Sequence, residues 1–177
     1  MQTHRLIPHP STPPDQVRAV SVETIVTADD LLLTFVVDGA EALLIPDWVQ
    51  PERADDLWQT TCFELFLKPA DSDGYWEFNF SPSTQWAAYR FDRHREGMRN
   101  AALSIDPHIE RGDGQSGYLI EVDVDLSDVP SISCRMGLSA VIEEKSGRKS
   151  YWALAHPPGD PDFHNGDCFA LTLPPAS

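Results

Sequence analysis

The sequence predicts an all-β protein, a two-sheet antiparallel β-sandwich with about ten strands and little helix. Three observations carry this. Apolar and polar residues alternate strictly from Tyr118 to Asp125, with Tyr118, Ile120, Val122 and Val124 on one side and Glu121, Asp123 and Asp125 on the other. That pattern specifies a half-buried antiparallel strand. The run Phe63–Leu67 is apolar at nearly every position, as expected of a central strand covered on both faces. Turn residues recur at short intervals, and no segment carries a convincing 3.6-residue apolar stripe.

The elements follow in order. Residues 1–16 hold four prolines and little periodicity, so they read as an extended N-terminal arm, and residues 17–177 as a single domain. A strand with a slip is expected over Arg18–Val26, then a turn at Asp29-Asp30 and a strongly β run over Leu31–Val37. Asp38-Gly39 turns the chain into Leu43–Ile45. Residues 46–61 are polar and broken by proline, with room for a short helical turn. Cys62–Lys68, Tyr75–Phe80 and Gln85–Phe91 are three strands separated by tight turns. In the second, Trp76, Phe78 and Phe80 share one side and Tyr75, Glu77 and Asn79 the other. In the third, Trp86, Ala88 and Arg90 oppose Ala87, Tyr89 and Phe91. A strand start is read at Leu103–Ile105 or Ile109, and a hairpin tip over Arg111–Gly117. Met136–Glu143, Tyr151–Leu154 and Cys168–Leu173 close the domain.

Composition narrows the function. A chain of 177 residues with 41% hydrophobic content and five tryptophans can fill one substantial core. A net charge of −15 repels phosphate backbones and anionic lipid, so nucleic acid and membrane are poor partners. One basic stretch runs against this: Arg90, Arg93, Arg95 and Arg99 against Asp92 and Glu96. It reads as a solvated hairpin whose charges pair internally, or as an anion site. Three cysteines without C-x-x-C spacing, Cys62, Cys134 and Cys168, indicate reduced buried thiols. With no apolar leader at the N-terminus, a cytoplasmic protein is expected.

Catalytic and metal motifs are missing from the sequence. It has no G-x-S-x-G elbow, no P-loop, no G-x-G-x-x-G and no H-E-x-x-H. No catalytic residue, metal ligand or cofactor is therefore assigned. Asp160–Asp167 has the alternating acids that begin a calcium loop, but its glycine falls one place late and its twelfth position is Leu171, so structural calcium stays a side reading beside a plain turn.

Glu64 and Glu77 stand out because each lies inside an apolar β run, where a bare charge is costly. Each is either partnered, by an arginine such as Arg90, or functional, as a ligand contact or as a glycosidase-type pair. Trp58, Trp76, Trp86 and Trp152 border strands with Tyr75, Tyr89 and Tyr151 beside them, and Asn79 and Arg90 add polar groups on the same strands. Indole faces stack on sugar C–H groups while carboxylates, amides and guanidinium bind hydroxyls. Trp86 and Arg90, four apart on one strand with the small Ala88 between, are expected to bound a shallow site, leaving Ala87, Tyr89 and Phe91 to the core.

The stretches Leu57–Leu67 and Tyr75–Asp92, a tryptophan before a Glu-bearing strand and then an aromatic strand, resemble the DOMON-like proteins, which are related to family 9 carbohydrate-binding modules. Trp152 followed by Phe163–Phe169 is similar to their final-strand signature. The resemblance implies a jelly-roll-like sandwich with a ligand cleft on one side, relatives of which bind sugars or haem. It makes Trp58 and Glu64 the opening of the motif, and Trp86 and Trp152 candidate platforms. Met98 and His156 match no haem-ligand motif, so haem is the minor reading. The expectation is a non-catalytic domain binding a carbohydrate or carbohydrate-like small molecule. Its rivals are a glycoside-active enzyme using Glu64 and Glu77, and a protein-interaction module with an unknown partner.

Overall fold

In a computed structural model of the chain, residues 1–27, 29–114 and 117–174 are described; the centre of the expected hairpin tip lies outside them. The sandwich is the predicted one: two antiparallel sheets, strand content of 49%, and, among the described residues, three short 3-10 turns besides. The first sheet orders β1 (Gln2–Arg5), β3 (Ala19–Val26), β4 (Asp30–Asp38), β10 (Gly117–Asp125) and β9 (His108–Gly114). The second orders β2 (Ile7–Pro8), β12 (Lys149–Ala153), β11 (Cys134–Glu143), β5 (Cys62–Pro69), β6 (Tyr75–Phe80), β7 (Trp86–Phe91) and β8 (Arg99–Asn100). β13 (Leu171–Leu173) takes the part of the β11 edge that β12 leaves free.

Alternation writes the main core. Val22, Phe35 and Ile120 form one row across β3, β4 and β10; Val20, Val37 and Tyr118 form the next. On the facing sheet a row runs Trp152, Ala140, Phe63, Phe80, Trp86. Phe35 and Phe63 join the layers with ring centroids 4.9 Å apart. β5 is buried on both faces, save for Lys68, because β11 and β6 flank it and the second sheet is covered on its outer side as well.

That outer cover is the feature the fold contributes to function. Phe66, Tyr75, Phe91 and Val141 point away from the main core and pack with Phe163, Cys168 and Phe169 from the segment after β12. Phe66 and Phe169 stack at 5.4 Å, and Arg135 clamps the segment by donating to the Phe169 carbonyl at 2.8 and 3.1 Å. Gly137 permits the approach, since a Cβ there would lie 2.6 Å from the Phe169 ring. The segment covers part of the face. The rest is open.

Several boundaries differ from expectation. Residues 1–16 are extended but built into the sandwich: β1 pairs with β3 and β2 with β12, carrying the chain from one sheet to the other. The buried Glu144 carboxylate then accepts from the amides of Asp15, Gln16 and Val17, fixing the entry into β3. Leu43 makes an isolated bridge to Glu144 in place of a strand over residues 43–45, and β9 begins at His108, beside the expected Ile109, with residues 103–105 outside it. The helical turn in 46–61 is Leu57–Gln59. All three cysteines are free and buried. Among the described residues no helix is long and apolar enough to cross a membrane.

Candidate functional site

The uncovered part of the outer face is the floor of a cavity of about 1010 Å³. β5 contributes Glu64, β6 Glu77, β7 Tyr89 and Phe91, β11 Val141 and β12 Tyr151. Three loops raise the walls: Asp55, Asp56 and Trp58 before β5; Arg95, Met98 and Arg99 after β7; Asp160, Phe163 and His164 after β12. Asp56 and Arg95 hold left-handed backbones, with φ of 60° and 56°. Non-glycine residues there cost on the order of 1–3 kcal/mol, and both strained positions border the cavity.

Register brings the two glutamates together. One outward row runs Ser139, Glu64, Asn79, Ala87 and the next Gly137, Phe66, Glu77, Tyr89. Glu64 and Glu77 are thus diagonal neighbours, with Cβ atoms somewhat under ~7–8 Å apart. Glu64 is 3% exposed and Glu77 6%. Ser139 Oγ donates to Glu64 Oε2 at 2.9 Å, and Asn79 Nδ2 to Glu77 Oε1 at 2.8 Å. Neither carboxyl has an arginine or lysine partner among the described residues. Burial, then the neighbouring Glu77, pushes Glu64 up to about 8, with Ser139 and Arg95 opposing. Burial also raises Glu77, against Asn79 and Arg95. The pair therefore carries fewer than two negative charges at neutral pH.

His164 closes one end of this group. Tyr75 Oη accepts from the Arg95 amide at 3.1 Å, so its own proton goes to His164 Nδ1 at 2.8 Å. The imidazole is then the Nε2–H tautomer, with Nε2 3.6 Å from Glu77 Oε2. Burial, then Arg95, lowers His164 to about 4, so it is neutral at physiological pH. Opposite, Tyr89 Oη donates to Asp55 Oδ1 at 2.6 Å, which together with burial raises the phenol. The basic hairpin is neutralised by pairs: Arg93 with Glu96 at 2.7 Å, Arg99 with Asp92 at 2.7 Å and Arg95 with Asp162 at 2.7 Å.

Of the residues expected from sequence, Trp58, Glu64 and Glu77 line the cavity and Asn79 supports it from below. Trp58 stands half exposed at the rim. Trp86, Arg90 and Trp152 lie on the other face of the sheet. Trp86 is 4% exposed beneath the Arg53 guanidinium, 4.3 Å from its ring, and Trp152 is 2% exposed with its indole N–H donating to Ser150 Oγ. Arg90 lies 3.3 Å over the Trp76 ring and pairs with neither glutamate. The face expectation for β7 is reversed: Ala87, Tyr89 and Phe91 look outward, because antiparallel partners share a face and Trp86 sits opposite Phe80. Tyr89 and Tyr151, which the sequence set beside the tryptophans, also line the site; Asp55, Phe163 and His164 complete it and were not singled out from sequence. In the Asp160–Asp167 stretch, Asp162 is engaged by Arg95 and His94, and no group of three or more His, Cys, Asp or Glu converges as a metal site among the described residues.

The arrangement defines a class, a β-sandwich with an aromatic and carboxyl-lined cleft over one sheet. No protein-family profile matches the chain, and no curated protein matches it in sequence. Among solved structures, it is similar to a "putative carbohydrate-binding protein" of Bacteroides uniformis ATCC 8492, at a TM-score of 0.70 and 13% identity, over 94% of this chain and 83% of that one. It also matches a family 9 carbohydrate-binding module of Caldicellulosiruptor kristjanssonii, solved with glucose and with cellotriose. Those two matches have TM-scores of 0.48 and 0.49 and identities of 14% and 15%, over 83% of this chain and 71% and 70% of theirs. The first match establishes the fold.

Proposed function

We propose that the chain is a non-catalytic binding domain for a carbohydrate or carbohydrate-like small molecule, held in the cavity over the second sheet. The observation that carries this is the mixture in one cleft of flat rings (Trp58, Tyr89, Tyr151 and Phe163) with polar groups at its floor and rim (Glu64, Glu77, Asp55 and Asn100). Rings stack on sugar faces, and fixed carboxyl and amide groups sort hydroxyls. The fold shared with the Bacteroides uniformis protein supports the same reading.

Hydrolysis is the second reading, because Glu64 and Glu77 are near neighbours in a cleft. A glycosidase needs one carboxyl protonated and the other ionised by a distinct environment. Here burial pushes both upward and outweighs the opposing pull of Arg95, so neither is set apart as the ionised partner, which favours binding over catalysis. An interaction module calls for an apolar patch and no polar cleft, and the cleft argues against it.

The test is a titration with gluco-, galacto- and xylo-configured disaccharides, followed by tryptophan fluorescence. The wild type is expected to respond to at least one, and Trp58→Ala to lose the response while keeping its melting temperature within about 1–2 °C, as befits a half-exposed side chain. Unchanged titration in the variant would remove Trp58 from the site.

A further inference from the structure

We infer that the preferred ligand of this cleft carries an ammonium group, as an amino sugar does, seated against Glu64 and Glu77. The inference rests on the saccharide reading above and adds the charge of the ligand. Five carboxyl groups line the cavity: Asp55, Asp56, Glu64, Glu77 and Asp160. The basic groups on the same walls are engaged elsewhere. Arg95 donates through Nε and Nη2 to Asp162, and Arg99 donates through Nη1 to Asp92. His164 Nδ1 accepts from Tyr75, leaving a neutral ring.

Glu64 supplies the independent sign of a missing partner. Its side chain is nearly fully buried and borders the cavity, Oε2 takes the Ser139 hydroxyl, and Oε1 has no hydrogen-bond partner among the described residues. Glu77 Oε2 likewise has only His164, at 3.6 Å. An ammonium has three donors and no acceptor, so it can serve both open oxygens and displace the acid proton that burial otherwise keeps on the pair. Tyr89, Phe91 and Tyr151 line the same floor, and aromatic rings add to the attraction for a desolvated cation. A neutral hydroxyl in that place leaves the acid proton on the pair and gains no charge-assisted hydrogen bond.

Three β-1,4 disaccharides that differ only at C2 isolate the effect: cellobiose with hydroxyl, the glucosamine dimer with ammonium, and its N,N′-diacetyl form with a neutral amide. Calorimetry at pH 6.5 on the full chain is expected to show the glucosamine dimer binding roughly tenfold or more tighter than either neutral analogue. Binding should release protons, seen as a dependence of the heat on the buffer's ionisation enthalpy. In Glu64→Gln, whose amide copies the neutral acid, the preference for the ammonium dimer should fall to near parity. Equal binding of all three by the wild type, or a preference that survives in Glu64→Gln, overturns the inference and leaves saccharide binding standing. Binding of the simple amine ethanolamine with no binding of any disaccharide supports the ammonium site and overturns the saccharide reading.

Discussion

Glu64→Gln is expected to make the protein more stable than wild type in alkaline solution, by a margin that widens from pH 5 to pH 9. The folded carboxyl titrates at about 8 against an ordinary value of 4.5. A group raised on folding contributes stability that is complete below the unfolded value and lost as pH rises through the folded one. Between roughly pH 5 and 8 each unit therefore removes about 1.4 kcal/mol from the wild type and nothing from the amide variant at this site. For a chain of this size, the accumulated difference corresponds to a melting-temperature gap on the order of 10 °C. Groups remote from Glu64 titrate alike in both proteins and cancel in the comparison, whereas Glu77 is coupled to it and titrates differently in the two. Thermal melts of the pair at pH 5, 7 and 9 measure it, and two curves that stay parallel contradict a buried, cation-free Glu64.

The second large effect belongs to Trp86. Trp86→Ala should cost about 3–5 kcal/mol, because it ends the inward row Trp152–Ala140–Phe63–Phe80–Trp86 and carries the Arg53 guanidinium on its ring. Arg53 also donates to the carbonyls of Ala88 and Ala101 at 2.8 Å, so the lost ring loosens the tie between β7 and the segment after β8. Against a total stability of roughly 5–15 kcal/mol, that shift is visible in any denaturant curve as a lower midpoint at constant slope. A variant that keeps the wild-type midpoint and loses saccharide binding restores Trp86 to the site and removes it from the core.

The same residue shows what could be read from sequence. Alternation grouped the residues of β6, β7 and β10 by side correctly, because a period of two survives any register. It did not say which side of β7 is inward, since Trp86, Ala88 and Arg90 and the opposing Ala87, Tyr89 and Phe91 are both largely apolar. The signal lay in the neighbouring strand. Trp76, Phe78 and Phe80 outweigh Glu77 and Asn79 as a core face, and the short turn at residues 81–85 sets Phe80 opposite Trp86. Carrying that register across places Tyr89 beside Glu77 and turns Trp86 inward. Glu64 and Glu77 were legible for a plainer reason, as charges inside apolar runs. Asp55, Phe163 and His164 were not, because they reach the cleft from loops whose path is set by tertiary packing, such as the stacking of Phe169 on Phe66.

The N-terminal segment teaches a related lesson. Its prolines marked an extended arm and hid that residues 2–5 and 7–8 pair with different sheets. Short edge strands carry too few residues for alternation to register.

The most direct test of the cleft is the indole N–H spectrum of the ¹⁵N-labelled protein under a saturating concentration of the tightest-binding disaccharide. The five tryptophans sort themselves by position: Trp58 at the cavity rim, Trp48 exposed away from it, and Trp76, Trp86 and Trp152 buried on the core side. Binding over the second sheet predicts a shifted Trp58 resonance, with Trp48 and the three core indoles within their free positions. A spectrum in which Trp48 moves and Trp58 does not would place the saccharide elsewhere and contradict the site.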